Sequence, residues 1–112
     1  MTARLPRGDR AIIDIRKIRE YCLNPSHPRG RHKVGVFRDA FGIRQNDAAW
    51  LRAALLEGAR SGEALHLGTD ARGSQWRLDV SIERQGKRGV VRTIWIVRAG
   101  DQVPRFVTCW VL

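Results

Sequence analysis

The feature that most constrains the fold is a change in the spacing of apolar residues near residue 63. Up to about residue 60 they recur at intervals of three and four, and from residue 63 onward they alternate. The first spacing places side chains on one face of a helix, and the second places them on one face of a strand. The chain therefore predicts an α+β fold, in which helices from the first half cover one face of an antiparallel sheet.

Three helices are predicted in the first half. The first spans residues 15 to about 23 with Asp14 as its N-cap, and the second runs from about residue 31 to residue 42. The third follows Asn46 or Asp47 and ends near residue 60. The side chains expected to pack on the sheet are Ile15, Ile18, Val34, Phe37, Phe41, Trp50, Leu51 and Leu55.

The second half predicts a meander of three or four antiparallel strands. Residues 75–82 alternate strictly, and residues 90–98 are nearly continuously apolar and β-branched, as in a central strand. Residues 105–112 give a last strand, and the weaker segment 63–68 is expected at an edge. Residues 1–112 are expected to form a single domain, because this length suffices for one core without metals or disulfides.

The charge of the chain indicates a polyanionic partner. The formal net charge is +10, and residues 1–44 hold 11 cationic and four acidic residues, a balance of +7. Such a surface attracts RNA, DNA, an acidic protein or an anionic membrane. A host whose proteins are all rich in arginine is the alternative explanation.

The chemistry that the sequence lacks also narrows the function. Cys22 and Cys109 stand alone, with neither CxxC nor Cys/His metal spacing, so we expect buried thiols and no metal site. Walker A, GxGxxG, HExxH and GxSxG motifs are absent, and no cofactor is expected. The N-terminus has no apolar segment and no stretch approaches 18 apolar residues, which predicts a cytoplasmic protein without a membrane partner.

A basic loop before the second helix carries the first candidate site. It follows two prolines and leads into the first turn of the helix, and its polar residues are Arg29, Arg31, His32 and Lys33. His32 is a candidate general acid or base, and Lys33 a candidate clamp for a phosphate. The alternative is a solvated helix start without a role, but the helix dipole disfavours clustered cations there, so the cluster needs another reason.

A second group of candidates lies on the strands. An unpaired arginine is costly to bury, so Arg92 must contact solvent, a carboxylate or a bound anion. Arg92 with Thr93, and Arg105 with Thr108, lie on neighbouring predicted strands and would line one concave surface. The alternative is ordinary strand threonines beside arginines that extend to solvent.

Two further residues have alternative roles. Lys17 contacts the same site from the first helix, or lies on a solvated helix face. Trp95 stacks on an RNA base, or packs within the core.

The segment DIRKIREYCLNPSHPRGRHKVGVFRDAFGI resembles a bacterial domain family of uncharacterised function. Members of that family read Lys-Ile, then Tyr-x-Leu-Asn-Pro, then Gly-x-His-Lys, then Phe-x-x-x-x-Gly. The likeness continues through VRTIWIVRAG and PRFVTCWV, so it covers nearly the whole chain.

The order of helices and meander is also similar to a wider superfamily of small nucleases. This superfamily includes barnase, the EndoU-type and colicin ribonucleases, and RelE-like toxins. The resemblance implies a metal-independent ribonuclease toxin that cleaves RNA by attack of the 2′-hydroxyl, and a small acidic antitoxin as its partner. The alternatives are a non-catalytic module that binds RNA or an acidic protein, and a domain of a phage structural protein.

The sequence thus gives two sets of site residues for the ribonuclease hypothesis. The proposed catalytic residues are His32, Lys33, Arg92, Thr93, Arg105 and Thr108. The proposed RNA-binding residues are Lys17, Arg29, Arg31 and Trp95.

Overall fold

A computed structural model, which describes residues 2–28 and 31–112, contains one antiparallel sheet with the strand order β1-β2-β3-β4-β5. The strands are β1 (Thr2–Arg4), β2 (Glu63–Asp70), β3 (Gly73–Arg84), β4 (Lys87–Arg98) and β5 (Arg105–Val111). The sequence predicts three or four strands. The additional strand is β1, which pairs with β2 at Ala3 and Ala64. The strand β2, expected at an edge, therefore lies inside the sheet, and the edges are β1 and β5.

The helices lie between β1 and β2 in the chain. The first is α1 (Ile15–Lys17), which continues as a π-helical turn over Ile18–Cys22, and the others are α2 (Arg31–Phe41) and α3 (Ala48–Ser61). The predicted first helix is thus only partly α-helical. Its π character is set by a hydrogen bond of 2.8 Å from the Leu23 amide to the Ile18 carbonyl, five residues back.

The predicted helix ends are confirmed at two positions. The Asp14 carboxylate accepts a hydrogen bond of 3.0 Å from the Arg16 amide, which makes Asp14 the N-cap of α1. Gly42, directly after α2, adopts a φ of 66°, a left-handed conformation that a glycine reaches without a steric penalty.

The helices cover one face of the sheet and share one hydrophobic core with it. The fully buried side chains from the strands include Leu78, Val91, Trp95 and Cys109, and those from the helical half include Ile18, Cys22, Phe37, Phe41, Leu51 and Leu55. The helix α3 lies so close to β3 that a Cβ at Gly58 would come within 2.6 Å of the Val80 methyl groups. This close packing confirms the predicted α+β fold.

The predicted core includes one wrong residue, Trp50. Its side chain is 39% exposed, and the Arg84 guanidinium lies 5.1 Å from the ring centroid. Leu51, the next residue, takes the buried position, because consecutive residues on a helix differ by about 100° in direction.

Within the residues that the structure describes, no helix combines the length and apolar character needed to cross a membrane.

Candidate functional site

A cleft of about 410 Å³ lies at the edge of the sheet beside β5. Its lining residues, which define the lysine cleft, are Lys17, Tyr21, Lys33, Val107 and Thr108. They come from α1, the π-helical turn, the first turn of α2 and β5. Residues distant in sequence therefore form one site only when the helices are packed against the edge strand.

Lys33 is held in a defined position within the lysine cleft. Its Nζ donates a hydrogen bond of 2.9 Å to Thr108 Oγ1. The ammonium also lies 5.1 Å from the ring centroid of Tyr21 and 5.6 Å from that of Trp110, within the range of cation–π attraction. Lys33 and Thr108, two of the predicted catalytic residues, are thus brought together.

Lys17 contributes the second ammonium group. Its side chain is half-buried, and Nζ donates a hydrogen bond of 2.8 Å to the Phe106 carbonyl. The pairing of β4 with β5 shifts its register here, since Ile94 faces Thr108 and Trp95 faces Phe106, which leaves Val107 without a partner. Of the two positions considered for Lys17, a half-buried place in the cleft is observed and a solvated helix face is not.

Two buried thiols lie close to the lysine cleft. Cys109 Sγ donates to Cys22 Sγ at 3.8 Å, and both side chains are fully buried. This hydrogen bond, helped by the positive charge of Lys33, lowers the pKa of the Cys22 thiol to about 7. The same hydrogen bond and its burial raise the pKa of Cys109. The predicted buried thiols are confirmed.

Only part of the predicted basic loop lies at the lysine cleft. His32 and Arg31 are exposed, and neither side chain forms a hydrogen bond or ion pair within the described part of the chain. Arg29 lies outside the described residues. Lys33 is therefore the member of the loop cluster that the structure places in the cleft.

Arg92 and Arg105 lie on the face of the sheet that the helices leave open. Arg92 donates to both carboxylate oxygens of Asp79, at 2.9 and 3.0 Å. This bidentate contact is the main cause of the lowered pKa of Asp79. Arg105 Nε donates to Asp101 Oδ2 at 3.2 Å. The expectation that Arg92 contacts a carboxylate, solvent or an anion is confirmed.

Arg92 also lies near the lysine cleft, because it faces Trp110 across the β4–β5 ladder. The Trp110 ring centroid also lies 5.6 Å from Lys33 Nζ. The open face and the cleft therefore meet at Trp110.

Thr93 and Trp95 require correction, because both side chains are fully buried on the helix-covered face. The Thr93 hydroxyl donates to the Leu78 carbonyl and accepts a hydrogen bond of 2.7 Å from Trp95 Nε1. The Trp95 ring packs edge-on against Phe106, with the two centroids 5.7 Å apart. Neither side chain is accessible to RNA, so Thr93 is not placed for catalysis and Trp95 is not placed for base stacking.

The sequence reasoning did not select Tyr21 or Trp110 as site residues. Tyr21 lies four residues after Lys17, an interval that puts both on one face of a helix, and this spacing is a signal that could have identified it. Trp110 lies two residues after Thr108 and so shares its side of β5.

The lysine cleft presents two ammonium groups, a hydroxyl group and aromatic rings. Across residues 2–28 and 31–112, no three His, Cys, Asp or Glu side chains are grouped so that they could hold a metal ion.

Comparison with known proteins identifies the family of the chain. Residues 4–112 match the family described as "Domain of unknown function (DUF6883)". No curated protein and no solved structure matches the chain. The family match covers every residue of the lysine cleft and assigns no activity to it. The chain belongs to the DUF6883 family, a domain family of unknown function.

Proposed function

We propose that this domain is a metal-independent ribonuclease of the toxin type, which binds and cleaves RNA at the lysine cleft. The observation that carries the proposal is the convergence of Lys17 and Lys33 on one edge of the sheet, beside the Thr108 hydroxyl and the Tyr21 ring. Fixed cations next to an aromatic ring can hold a phosphate and stack on its base. The net charge of +10 favours the same ligand.

The proposed reaction needs charge stabilisation and proton transfer. The RNA 2′-oxygen attacks phosphorus and the bond from phosphorus to the 5′-oxygen breaks, giving a 2′,3′-cyclic phosphate and a 5′-hydroxyl. Lys17 and Lys33 offset the charge that develops on the phosphoryl oxygens. His32, adjacent to Lys33 on α2, accepts the 2′-hydroxyl proton, and the Lys33 ammonium protonates the leaving oxygen.

The remaining predicted residues have supporting roles in this proposal. Arg92 and Arg105 lie on the open face of the sheet beyond Trp110, where a phosphate would compete with Asp79 and Asp101 for their guanidinium groups. Arg31 and Arg29 would contact phosphates further along the strand.

The proposal is tested by an RNA cleavage assay on the purified domain and four variants. Lys33→Ala and His32→Ala should lose cleavage, whereas His66→Ala, at an exposed histidine of β2, and Lys87→Ala should cleave like the wild type. Lys87 is a matched control because its Nζ, like that of Lys33, donates a hydrogen bond, here to the Asp39 carbonyl at 3.2 Å and away from the cleft. Cleavage by Lys33→Ala at the wild-type rate would overturn the proposed site.

A non-catalytic module that binds RNA is the second candidate function. It is favoured by the exposed His32, whose side chain forms no hydrogen bond or ion pair among the described residues, and by the pairing of Arg92 and Arg105 with carboxylates. Binding of RNA by the wild type without cleavage, abolished in Lys33→Ala, would establish this function instead.

The likeness to the barnase and RelE-like nucleases supports a partner protein as well. A free ribonuclease in the cytoplasm would damage its host, so we propose a small acidic antitoxin that binds the basic surface. A short acidic reading frame next to the gene would support this pairing.

A further inference from the structure

A groove distinct from the lysine cleft lies on the helical side of the molecule. It has a volume of about 530 Å³ and lies between the π-helical turn, α2 and the segment that leads into α3. The residues that line it, which define the arginine groove, are Arg19, Leu23, Pro25, Val34, Arg38, Ile43, Arg44, Gln45 and Asn46. None of them lines the lysine cleft.

The floor of the arginine groove is aliphatic. Its accessible aliphatic side chains are Pro25, which is exposed, and Val34, which is half-buried, whereas Leu23 and Ile43 are fully buried. No aromatic side chain is present among the described residues that line the groove. Such a floor accommodates aliphatic side chains but offers no ring on which a base could stack.

The rim of the arginine groove is cationic. Arg19, Arg38 and Arg44 are all exposed. Arg38 has only an exposed ion pair with Asp39 at 3.5 Å, and neither Arg19 nor Arg44 forms an ion pair with any described residue. Guanidinium groups bind carboxylates in a bidentate geometry, so this rim is complementary to acidic side chains.

The arginine groove is held open by a contact between its two walls. Gln45 Nε2 donates a hydrogen bond of 2.9 Å to the Arg19 carbonyl, which ties the segment before α3 to the π-helical turn. A ligand therefore meets a preformed surface and loses little free energy in ordering it.

We infer that the arginine groove docks an acidic segment of a partner protein, whose aliphatic side chains pack on Pro25 and Val34 while its carboxylates pair with the arginines. RNA is the less suitable occupant, because its charge matches the rim but its bases find no aromatic surface. The inference gives a location to the proposed acidic partner and rests on that part of the proposed function, but it does not require the lysine cleft to cleave RNA.

The experiment measures binding of labelled peptides to the full chain by fluorescence anisotropy. The probe is an amphipathic peptide of glutamate and leucine, and the control peptide has serine in place of leucine. The groove variant is Arg19→Glu/Arg44→Glu. The matched variant is Arg10→Glu/Arg98→Glu, which changes the net charge equally at two exposed arginines without ion pairs among the described residues.

The groove variant should weaken binding of the leucine peptide by about tenfold or more, and the matched variant by less than about threefold. The serine peptide should bind the wild type about tenfold more weakly than the leucine peptide. If charge reversal unfolds the protein, as judged by circular dichroism, Arg19→Gln/Arg44→Gln provides the same comparison against Arg10→Gln/Arg98→Gln.

Equal weakening by the groove and matched variants, or equal affinity for the two peptides, would overturn the inference. Binding of labelled oligouridine is measured in the same assay. If the groove variant alone lost affinity for oligouridine, the inference would also be overturned, and the groove would be an RNA site. Failure of the proposed ribonuclease would be recognised separately, since Lys33→Ala lies outside the groove and should bind the leucine peptide like the wild type.

Discussion

Lys33 Nζ lies 2.9 Å from Thr108 Oγ1, and this hydrogen bond joins the first turn of α2 to the edge strand β5 across 75 residues of chain. The contact fixes the ammonium between the rings of Tyr21 and Trp110. The position of the cation in the lysine cleft therefore depends on an uncharged neighbour, which can be removed without changing the charge of the site.

Replacing Thr108 should impair the reaction more than the binding of RNA. Thr108→Val removes the acceptor but keeps the shape and the positive charge, so Lys33 is less well positioned for the transition state. We expect kcat to fall about tenfold and KM to change less than about threefold. Steady-state kinetics of RNA cleavage check this, with the exposed Thr69→Val as the control. A change confined to KM would contradict a positioning role for Thr108.

The close packing of α3 on β3 gives a stability prediction. Gly58→Ala should destabilise the fold by about 1–3 kcal/mol, because its Cβ would lie 2.6 Å from both Val80 methyl groups. A Cβ added at Gly35, in α2, would have no atom within 4 Å. Gly35→Ala should therefore stabilise the protein by about 0.5–1 kcal/mol, because alanine has the higher helix propensity. Urea denaturation measures both values. Equal effects of the two substitutions would show that α3 does not pack on β3 in this way.

Thr93 and Trp95 should act as a buried pair that maintains the core. Thr93→Val is nearly isosteric but leaves Trp95 Nε1 without its acceptor in a fully buried environment. The expected loss of stability is about 1–3 kcal/mol, with RNA affinity unchanged at temperatures where the protein is folded. Chemical denaturation and RNA titration distinguish this structural role of Thr93 from the catalytic role that the sequence predicts. A catalytic role would require a loss of activity in a fully stable variant.

The general architecture could be predicted from the sequence because each long element carries its own pattern. The alternation that ends at Ile82 specifies one buried face of a strand, and the stripe of Phe37 and Phe41 specifies one buried face of a helix. Both faces are buried in the structure. The strand β1 was missed because three residues are too few to show an alternation.

The candidate site was only partly predictable, because its geometry depends on tertiary contacts. Lys33 and Thr108 were selected as chemical groups, but their contact joins residues 75 positions apart, beside a register shift between β4 and β5 that no local pattern encodes. The parity of Thr93 and Trp95 put them on one face correctly, but parity alone does not say which face the helices cover.

The ion pair of Arg92 with Asp79 should make stability depend on pH in acid. The hydrogen bonds from Arg92 lower the pKa of Asp79 in the folded protein below the ordinary value of 3.8. Asp79 therefore binds a proton more readily in the unfolded chain than in the folded protein. The stabilisation is complete when the pH is above the pKa of Asp79 in the unfolded chain, and it is lost as the pH falls through the pKa of Asp79 in the folded protein. Carbon-detected NMR titration of Asp79 in the wild type and in Arg92→Gln checks this. The midpoint should move upward in the variant, and an unchanged midpoint would contradict the assigned cause.

The central claim, that RNA phosphates bind at the lysine cleft, is tested most directly by the salt dependence of RNA affinity. A 2′-O-methyl oligoribonucleotide is used, because it lacks the attacking hydroxyl and cannot be cleaved. Each phosphate contact contributes about 0.7 to the slope of log affinity against log salt for a single strand. Lys17→Gln/Lys33→Gln should therefore reduce the magnitude of the slope by about 1.4, whereas Arg10→Gln/Arg98→Gln, with the same loss of charge, should reduce it by less than half as much. Equal slopes for these two double variants would contradict the claim.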